Sequence, residues 1–218
     1  MGKYYGGPNS PYYGKVGAVV ARKWRTENVV SMYNPKVKNP NTKAQQIVRM
    51  RFAALSNICA SLASAINIGF YPESVGKKQF ARCFFMKWNM GNVTVTLPDA
   101  VEVDYSSLLV ANGSLAEVHF GSPQFDEPLT IQVGFTANGE APGASADDDI
   151  YILAYCPDDD RAVLSTPVKR NAEAVRMTVP GYWSGAKVQL WGFAAKAGEK
   201  DTIDDVSKSI YVGSGNIG

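Results

Sequence analysis

Two periodicities divide the chain. From Thr42 to about Gly69, apolar residues recur at steps of four and three: Val48, Phe52, Leu55, Cys59, Leu62 and Ile66. That spacing puts them on one face of a helix expected over residues 42–68, roughly 40 Å long at about 1.5 Å per residue. Thr42 stands three residues before Gln45, a capping-box spacing, and Pro35 and Pro40 hold the entry extended. The second half, "SNICASLASAI", carries no charge. Its Ala and Ser allow close backbone approach, so this part is expected to pack on another helix or subunit. "YPESVGKKQFARCFFMKWNMGN" reads as a second helix, with Pro72 near its start, Gly91 at its end and Phe80 and Phe84 on one face. The two helices are expected to form an αα-hairpin through "GFYP".

From Asn92 the period falls to two. "VTVTL", "SLLVANGSLAEVHF", "LTIQVGF", "DIYILAYC", "RAVLSTPV", "AVRMTV", "KVQLWGFAA" and "SKSIYVG" are short β-prone runs separated by Gly, Pro, Asn and Asp. Leu129, Ile131, Val133 and Phe135 alternate with polar or small partners, as in a half-buried strand, whereas "DIYILAYC" is apolar on both faces, as in a central one. Asn112-Gly113 signals a hairpin. Upstream, "KVGAVVARKW" and "NVVSMY" flank the turn-like "RTEN" as a further hairpin over residues 15–33. The expected fold class is α+β: an N-terminal β-hairpin and αα-hairpin followed by an antiparallel sandwich of immunoglobulin or fibronectin type. Three regions are expected: a Tyr/Gly arm at 1–14, a basic hairpin and two-helix region at 15–91, and an acidic sandwich at 92–218.

Charge sharpens that division. The net charge of +2 hides 14 Lys/Arg against two acids in residues 1–90, and 8 against 18 in the remainder. Such asymmetry points either to two surfaces with different partners or to attraction between the halves, within one molecule or between neighbours. In the arm, Tyr4, Tyr5, Tyr12 and Tyr13 offer large contact area with a polar tip, which suits docking on a neighbour. Arg22, Lys23 and Arg25 surround Trp24; such a set can stack on bases, or its stems can cover the hairpin's apolar face. Arg49 and Arg51 fall about +100° and −60° from Val48 on a helical wheel, on opposite sides of the apolar stripe. A recognition helix gathers its base-contacting residues on one side, so only non-specific phosphate contact by residues 1–90 is open to this half.

Candidate chemistry is sparse. His119 is the single histidine, placed mid-strand in "AEVHF" with no nucleophile elbow nearby. Neither a phosphate-binding glycine motif nor zinc spacing occurs, and no cofactor is implied. Cys59, Cys83 and Cys156 lack CxxC spacing and read as free, buried thiols from a reducing compartment. Asp147-Asp148-Asp149, Asp158-Asp159-Asp160 and Asp204-Asp205 read as strand-end turns, with calcium binding by clustered carboxylates as the alternative. Tyr182, Trp183 and Trp191 could stack on a sugar, although core or interface placement is the default for such residues. No signal segment and no run near the ~18 apolar residues of a membrane span is present.

"GKVGAVVARKW", "NPNTKAQQIVRMRF", "KWNMGNVTV", "VDYSSLLVANGSL" and "SKSIYVG" resemble, in order and over about residues 14–213, the motifs of a function-unknown domain family found mainly in Bacteroidetes bacteria and their mobile elements. The most specific is T-x-x-Q-x-x-x-R-x-x-F, here Thr42, Gln45, Arg49 and Phe52. Members often carry a basic residue after the hairpin, where this chain reads "VVSMYNP". The resemblance implies no catalytic residues.

Two functions are therefore expected. The first is a non-enzymatic structural subunit of an assembly, such as a phage or phage-like virion, found in the virion or in the cytoplasm before assembly. It would use Tyr4, Tyr5, Tyr12, Tyr13, Arg22, Trp24, Arg25, Arg49 and Arg51 to dock on other protein subunits as a homo- or hetero-oligomer. The alternative is a monomeric carbohydrate- or cell-surface-binding module using Trp183, Trp191, Asp158 and Asp159.

Overall fold

A computed structural model describes residues 2–3 (as backbone), 13–24, 27–36, 39–125, 127–199 and 202–218. The chain divides into two compact units, residues 1–42 and 43–218. The division thus falls after residue 42, and the helices expected to go with the hairpin at 15–91 belong with the sandwich. Tyr4, Tyr5, Tyr12 and Arg25 lie outside the described residues.

The first unit is a four-stranded antiparallel sheet. Its strands are β1 (Gly2–Lys3), β2 (Gly14–Val16), β3 (Val19–Trp24) and β4 (Glu27–Met32), in the order β1-β4-β3-β2. The expected hairpin is β3–β4, paired from Val19↔Met32 to Trp24↔Glu27. "KVGAVVARKW" is not one strand. It reverses at Gly17, whose φ of 59° suits glycine, so that β2 can pair with β3. Gly2 and Lys3, expected in an irregular arm, satisfy the other edge of β4 at Val29 and Val30.

The second unit is α+β, and its centre is two long antiparallel strands. After the helices come β5 (Val93–Thr96) and β6 (Ala100–Val103), which pair as a separate hairpin, then β7 (Phe120–Gln124) and β8 (Thr130–Phe135). β9 (Asp149–Cys156), β10 (Arg161–Leu164), β11 (Val168–Lys169), β12 (Ala174–Thr178), β13 (Lys187–Ala197), β14 (Ile203–Val206) and β15 (Ile210–Asn216) complete the unit. β9 and β13 pair from Gln189↔Tyr155 to Ala195↔Asp149. β10 and β11 share the outer edge of β9, and β14 and β15 share that of β13. A second sheet, β12-β8-β7, packs against one face.

Strand alternation explains why β9 and β13 are largely apolar, with buried Gln189 an exception whose side-chain oxygen accepts from the Tyr211 hydroxyl. Ile150, Ile152, Ala154 and Cys156 of β9, with Val188, Leu190 and Ala194 of β13, meet Ile131, Val133, Val175 and Met177 of the second sheet. The intervening Leu153, Tyr155, Trp191, Phe193 and Ala195 face the helices. Each residue step reverses the side chain, so a strand buried on both faces has few polar positions. Gly192 falls on the sandwich side, where the Phe120 ring occupies the space a Cβ would need.

The helical layer is α1 (Lys43–Ser61), α2 (Ala63–Gly69), α3 (Tyr71–Ser74) and α4 (Ala81–Asn89). The single helix expected over 42–68 breaks at Leu62 (φ −86°, ψ 11°), and its halves lie at 90°. The two halves have different supports: α1 lies on the β5–β6 hairpin, and α2 runs over β13 and β14. The turn keeps Leu55, Leu62, Ile66 and Phe70 in one core with Trp191 and Phe193. The second expected helix is likewise two, α3 and α4, separated by residues 75–80. Phe80 therefore precedes α4 and is exposed while Phe84 is buried. The αα-hairpin is thus a four-helix layer in which α4 packs across α1 and α2.

"SLLVANGSLAEVHF" forms no hairpin; among its residues only Phe120 is in a strand. Its backbone is bonded elsewhere. Buried Asn89 accepts from the Leu109 amide (2.8 Å) and donates to the Leu109 carbonyl (2.8 Å) and to that of Phe85 (2.9 Å). The Ser209 hydroxyl accepts from the Val110 amide, the Gly69 carbonyl from Asn112, and the Val206 carbonyl from Leu115. Side chains and helix ends thus do what a partner strand would have done.

Gly69 is held by this arrangement. In an isolated helix Gly→Ala gains about 1 kcal/mol. Here an added Cβ would meet the Val110 carbonyl and lie 2.6 Å from the Ala111 Cβ. Gly69→Ala should therefore lower unfolding free energy by about 1–3 kcal/mol, read as a lower urea midpoint; a higher midpoint would contradict this packing.

Burial raises the phenol pKa of Tyr155, Tyr105 and Tyr151, and Tyr155 also donates to Asp160. Unfolded tyrosine ionises near pH 10, below these folded values. The stabilisation is complete below about pH 10 and is lost as pH rises beyond it. Unfolding free energy should fall above about pH 10, with a late tyrosinate absorbance that appears only as the fold is lost and shrinks in Tyr155→Phe.

Candidate interaction surface

The bend between α1 and α2 leaves a groove. Phe52, Cys59, Ala60 and Ala63 form one wall, Arg82 and Met86 of α4 the other, and the cavity is about 280 Å³. The small residues of the uncharged stretch do not bring another helix of this unit into close contact; Ala60, Ala63 and Ser64 are exposed. The first turns of the apolar stripe also remain open within this unit: Phe52 is 56% exposed and Val48 54%. Neither α1, α2 nor α4 contains a carboxylate. Burial raises the pKa of the Cys59 thiol, opposed by the positive charge of Arg82.

The turn from β9 to β10, which meets the end of α1 through Ser61, carries Asp158, Asp159 and Asp160. Asp160 has φ 50°, and its two ends are used. The Ser61 hydroxyl at the end of α1 donates to its carbonyl (2.6 Å) and carboxylate (3.0 Å), and the Tyr155 hydroxyl donates to the carboxylate (2.8 Å). Asp159 accepts from the Trp183 indole (3.3 Å) and pairs with Arg161 (3.7 Å). Arg161 donates to the Tyr182 hydroxyl (3.4 Å) and lies 5.9 Å from the ring centroid. The Tyr182 contact raises its pKa first. Asp158 is exposed and makes no hydrogen bond or ion pair among the described residues.

The residues assigned to sugar binding do not form a platform. Trp183 and Trp191 are fully buried and sit in different cores, one on each side of the central sheet. Their apolar bodies fill those cores while their N–H groups reach Asp159 and the Tyr105 carbonyl. Only Tyr182 of that group is exposed. Of the docking residues, Tyr13, Arg22 and Trp24 are exposed in the first unit, Arg49 is exposed on α1 of the second, and Arg51 is half-buried. Sequence reasoning missed Arg82 and the groove, because the break at Leu62 has no marker such as Pro or Gly.

The remaining polar groups have structural duties. Asp148 is buried opposite fully buried Arg170 (3.7 Å), which donates to the Ala116 carbonyl, and burial lowers the Arg170 pKa. Asp149 pairs with Lys169 (2.7 Å), and Asp205 accepts from Ser114. The neighbouring aspartates thus point to separate partners, and no group of three metal-ligating side chains occurs among the described residues. His119 is exposed and precedes β7 instead of lying within a strand. All three cysteines are free; Cys59 and Cys156 are buried, and Cys83, against expectation, is exposed on α4. Among the described residues no single helix is long and apolar enough to cross a membrane.

A search of the curated proteins found no match. Residues 11–213 match a family of unknown function (DUF6266). The match spans both compact units, and the chain belongs to that family.

Proposed function

We propose that the protein is a non-enzymatic structural subunit of a macromolecular assembly, specifically a component of a phage or phage-like particle. The observation that carries this reading is the helical layer. Residues 43–92 hold seven Lys/Arg and one acid, Glu73, which accepts a hydrogen bond from Trp88. They also expose Val48, Phe52 and Phe80, and Phe52 lines the groove. Exposed apolar groups rimmed by charge of one sign mark protein–protein contact. The sandwich behind this layer has the opposite sign, with 8 Lys/Arg against 18 Asp/Glu in residues 93–218. A chain with one basic and one acidic part can join neighbours through both. Non-specific contact with nucleic acid through the basic residues of 1–90 is compatible with this role.

Size-exclusion chromatography with light scattering should find self-association or co-migration with purified particles, weakening as ionic strength rises and the screening length falls from about 10 Å at 0.1 M to 3 Å at 1 M. A strict monomer at high concentration that is also absent from any purified particle would overturn the proposal.

A further inference from the structure

We propose that one face of the first unit's sheet binds single-stranded nucleic acid without sequence preference. Bases stack on Trp24 and Tyr33, and Lys15 and Arg22 hold phosphates. The assembly reading allows nucleic-acid contact but does not need it; this inference names the strand form and the residues.

Register brings these residues together. Side chains directly opposite each other in antiparallel strands share a face, as do alternate residues along one strand. Val20, Arg22 and Trp24 of β3 therefore share a face with Ser31, Val29 and Glu27 of β4 and with Lys15 of β2. Tyr33, one residue past β4, joins them, because the Lys15 ammonium lies 3.5 Å from its ring centroid. Lys15, Arg22, Trp24 and Tyr33 are exposed, whereas Val20 is half-buried and Val29 buried. The opposite face carries Val16, Val19, Ala21, Val30 and Met32, with Lys23 as its charged residue among those described. The sheet thus has one apolar face and one basic, aromatic face, and the adjacent Arg22 and Lys23 fall on different sides.

The chemistry of that face selects its partner. Residues 1–42 hold seven Lys/Arg and one acid, Glu27, which stands opposite Trp24 at one end of the face. A unit of that sign attracts a polyanion. An acidic protein would need only the cations, whereas the exposed rings point to bases. Trp24 is 46% exposed and Tyr33 40%, and the indole has no hydrogen-bond, ring or cation partner among the described residues. Stacking on such rings tolerates any sequence, because every base has a π-face. The bases of a duplex are already stacked on one another, so the rings favour an unpaired strand. The Tyr33 amide donates to the Ala18 carbonyl, and Trp24 stands six residues beyond Ala18. The two rings therefore mark the ends of a track roughly 20 Å long at about 3.3 Å per residue. Arg22 lies between them, and the track accommodates a few nucleotides.

Fluorescence anisotropy with the full chain tests this, using labelled oligo-dT, oligo-dA and oligo-U and a blunt DNA duplex of the same length. Circular dichroism and thermal midpoints would check that each variant is folded. The single strands should bind at least about tenfold more tightly than the duplex at equal salt, and the ratio of oligo-U to oligo-dT says whether RNA or DNA is preferred. The logarithm of affinity should fall linearly with that of salt, by about 0.7 per phosphate held. Trp24→Ala should weaken single-strand binding at least about fivefold, and Trp24→Phe should recover most of the loss. Lys15→Gln should lower both the affinity and the salt slope, whereas Lys23→Gln, the same change on the opposite face, should do neither. A folded Trp24→Ala that binds as wild type does would overturn the proposal, as would equal effects of the two lysine substitutions or a duplex bound as tightly as a single strand. Poly-glutamate that competes as well as oligo-dT, charge for charge, would assign the face to acidic proteins and likewise overturn it. A chain that joins particles yet binds no oligonucleotide contradicts this inference and leaves the subunit role intact. A strict monomer that is absent from particles but shows the expected oligonucleotide binding contradicts the subunit role alone.

Discussion

The structure of residues 43–218 depends on β9 and β13 being buried on both faces. One face builds the sandwich interior with the β12-β8-β7 sheet, and the other is the floor of the helical layer. Removing a large side chain at such a position leaves a void with little freedom to collapse, and aromatic-to-alanine changes in cores cost about 3–5 kcal/mol. Trp191 and Trp183 occupy opposite sides of this sheet, so each secures one of the two interfaces.

The surface features follow from that constraint. The helices cover one face of a sheet and also a side hairpin, so α1 and α2 diverge by 90° and leave a groove where α4 crosses them. The segment before β7 fills the remaining gap without regular structure, bonded through Asn89, Ser209 and the end of α2. Ser61 ties the acidic β9–β10 turn to the uncharged end of α1. The proposed docking role uses features that the packing had already produced.

Much of the sheet was legible from period-two patterning. β8, β9, β12, β13 and β15 correspond to runs whose alternation or continuous apolarity marks them, and the continuous run in β9 signals burial on both faces. The helix start after Thr42 was legible from its cap spacing, and the buried half of the stripe from its periodicity. The break at Leu62 was not, because it arises from the supports beneath the helix and not from a local breaker. Asn112-Gly113 misled for a related reason. Its flanks are bonded to Gly69, Val206 and Ser209, partners far away in sequence. Core placement, the default for Trp183 and Trp191, holds over the sugar platform because their indole N–H groups reach Asp159 and the Tyr105 carbonyl while the rings stay packed. Grouping the helices with the hairpin followed charge, which describes surfaces, whereas the shared core joins them to the sandwich.

The helical layer and the sandwich share one sheet and should unfold as one cooperative unit. Native-state hydrogen exchange across a denaturant series tests it most directly. The slowest amides of α1, α2 and α4 should merge with those of β9 and β13 into a single global opening. Helices that exchange together through a separate opening of lower free energy, while β9 and β13 remain protected, would contradict it.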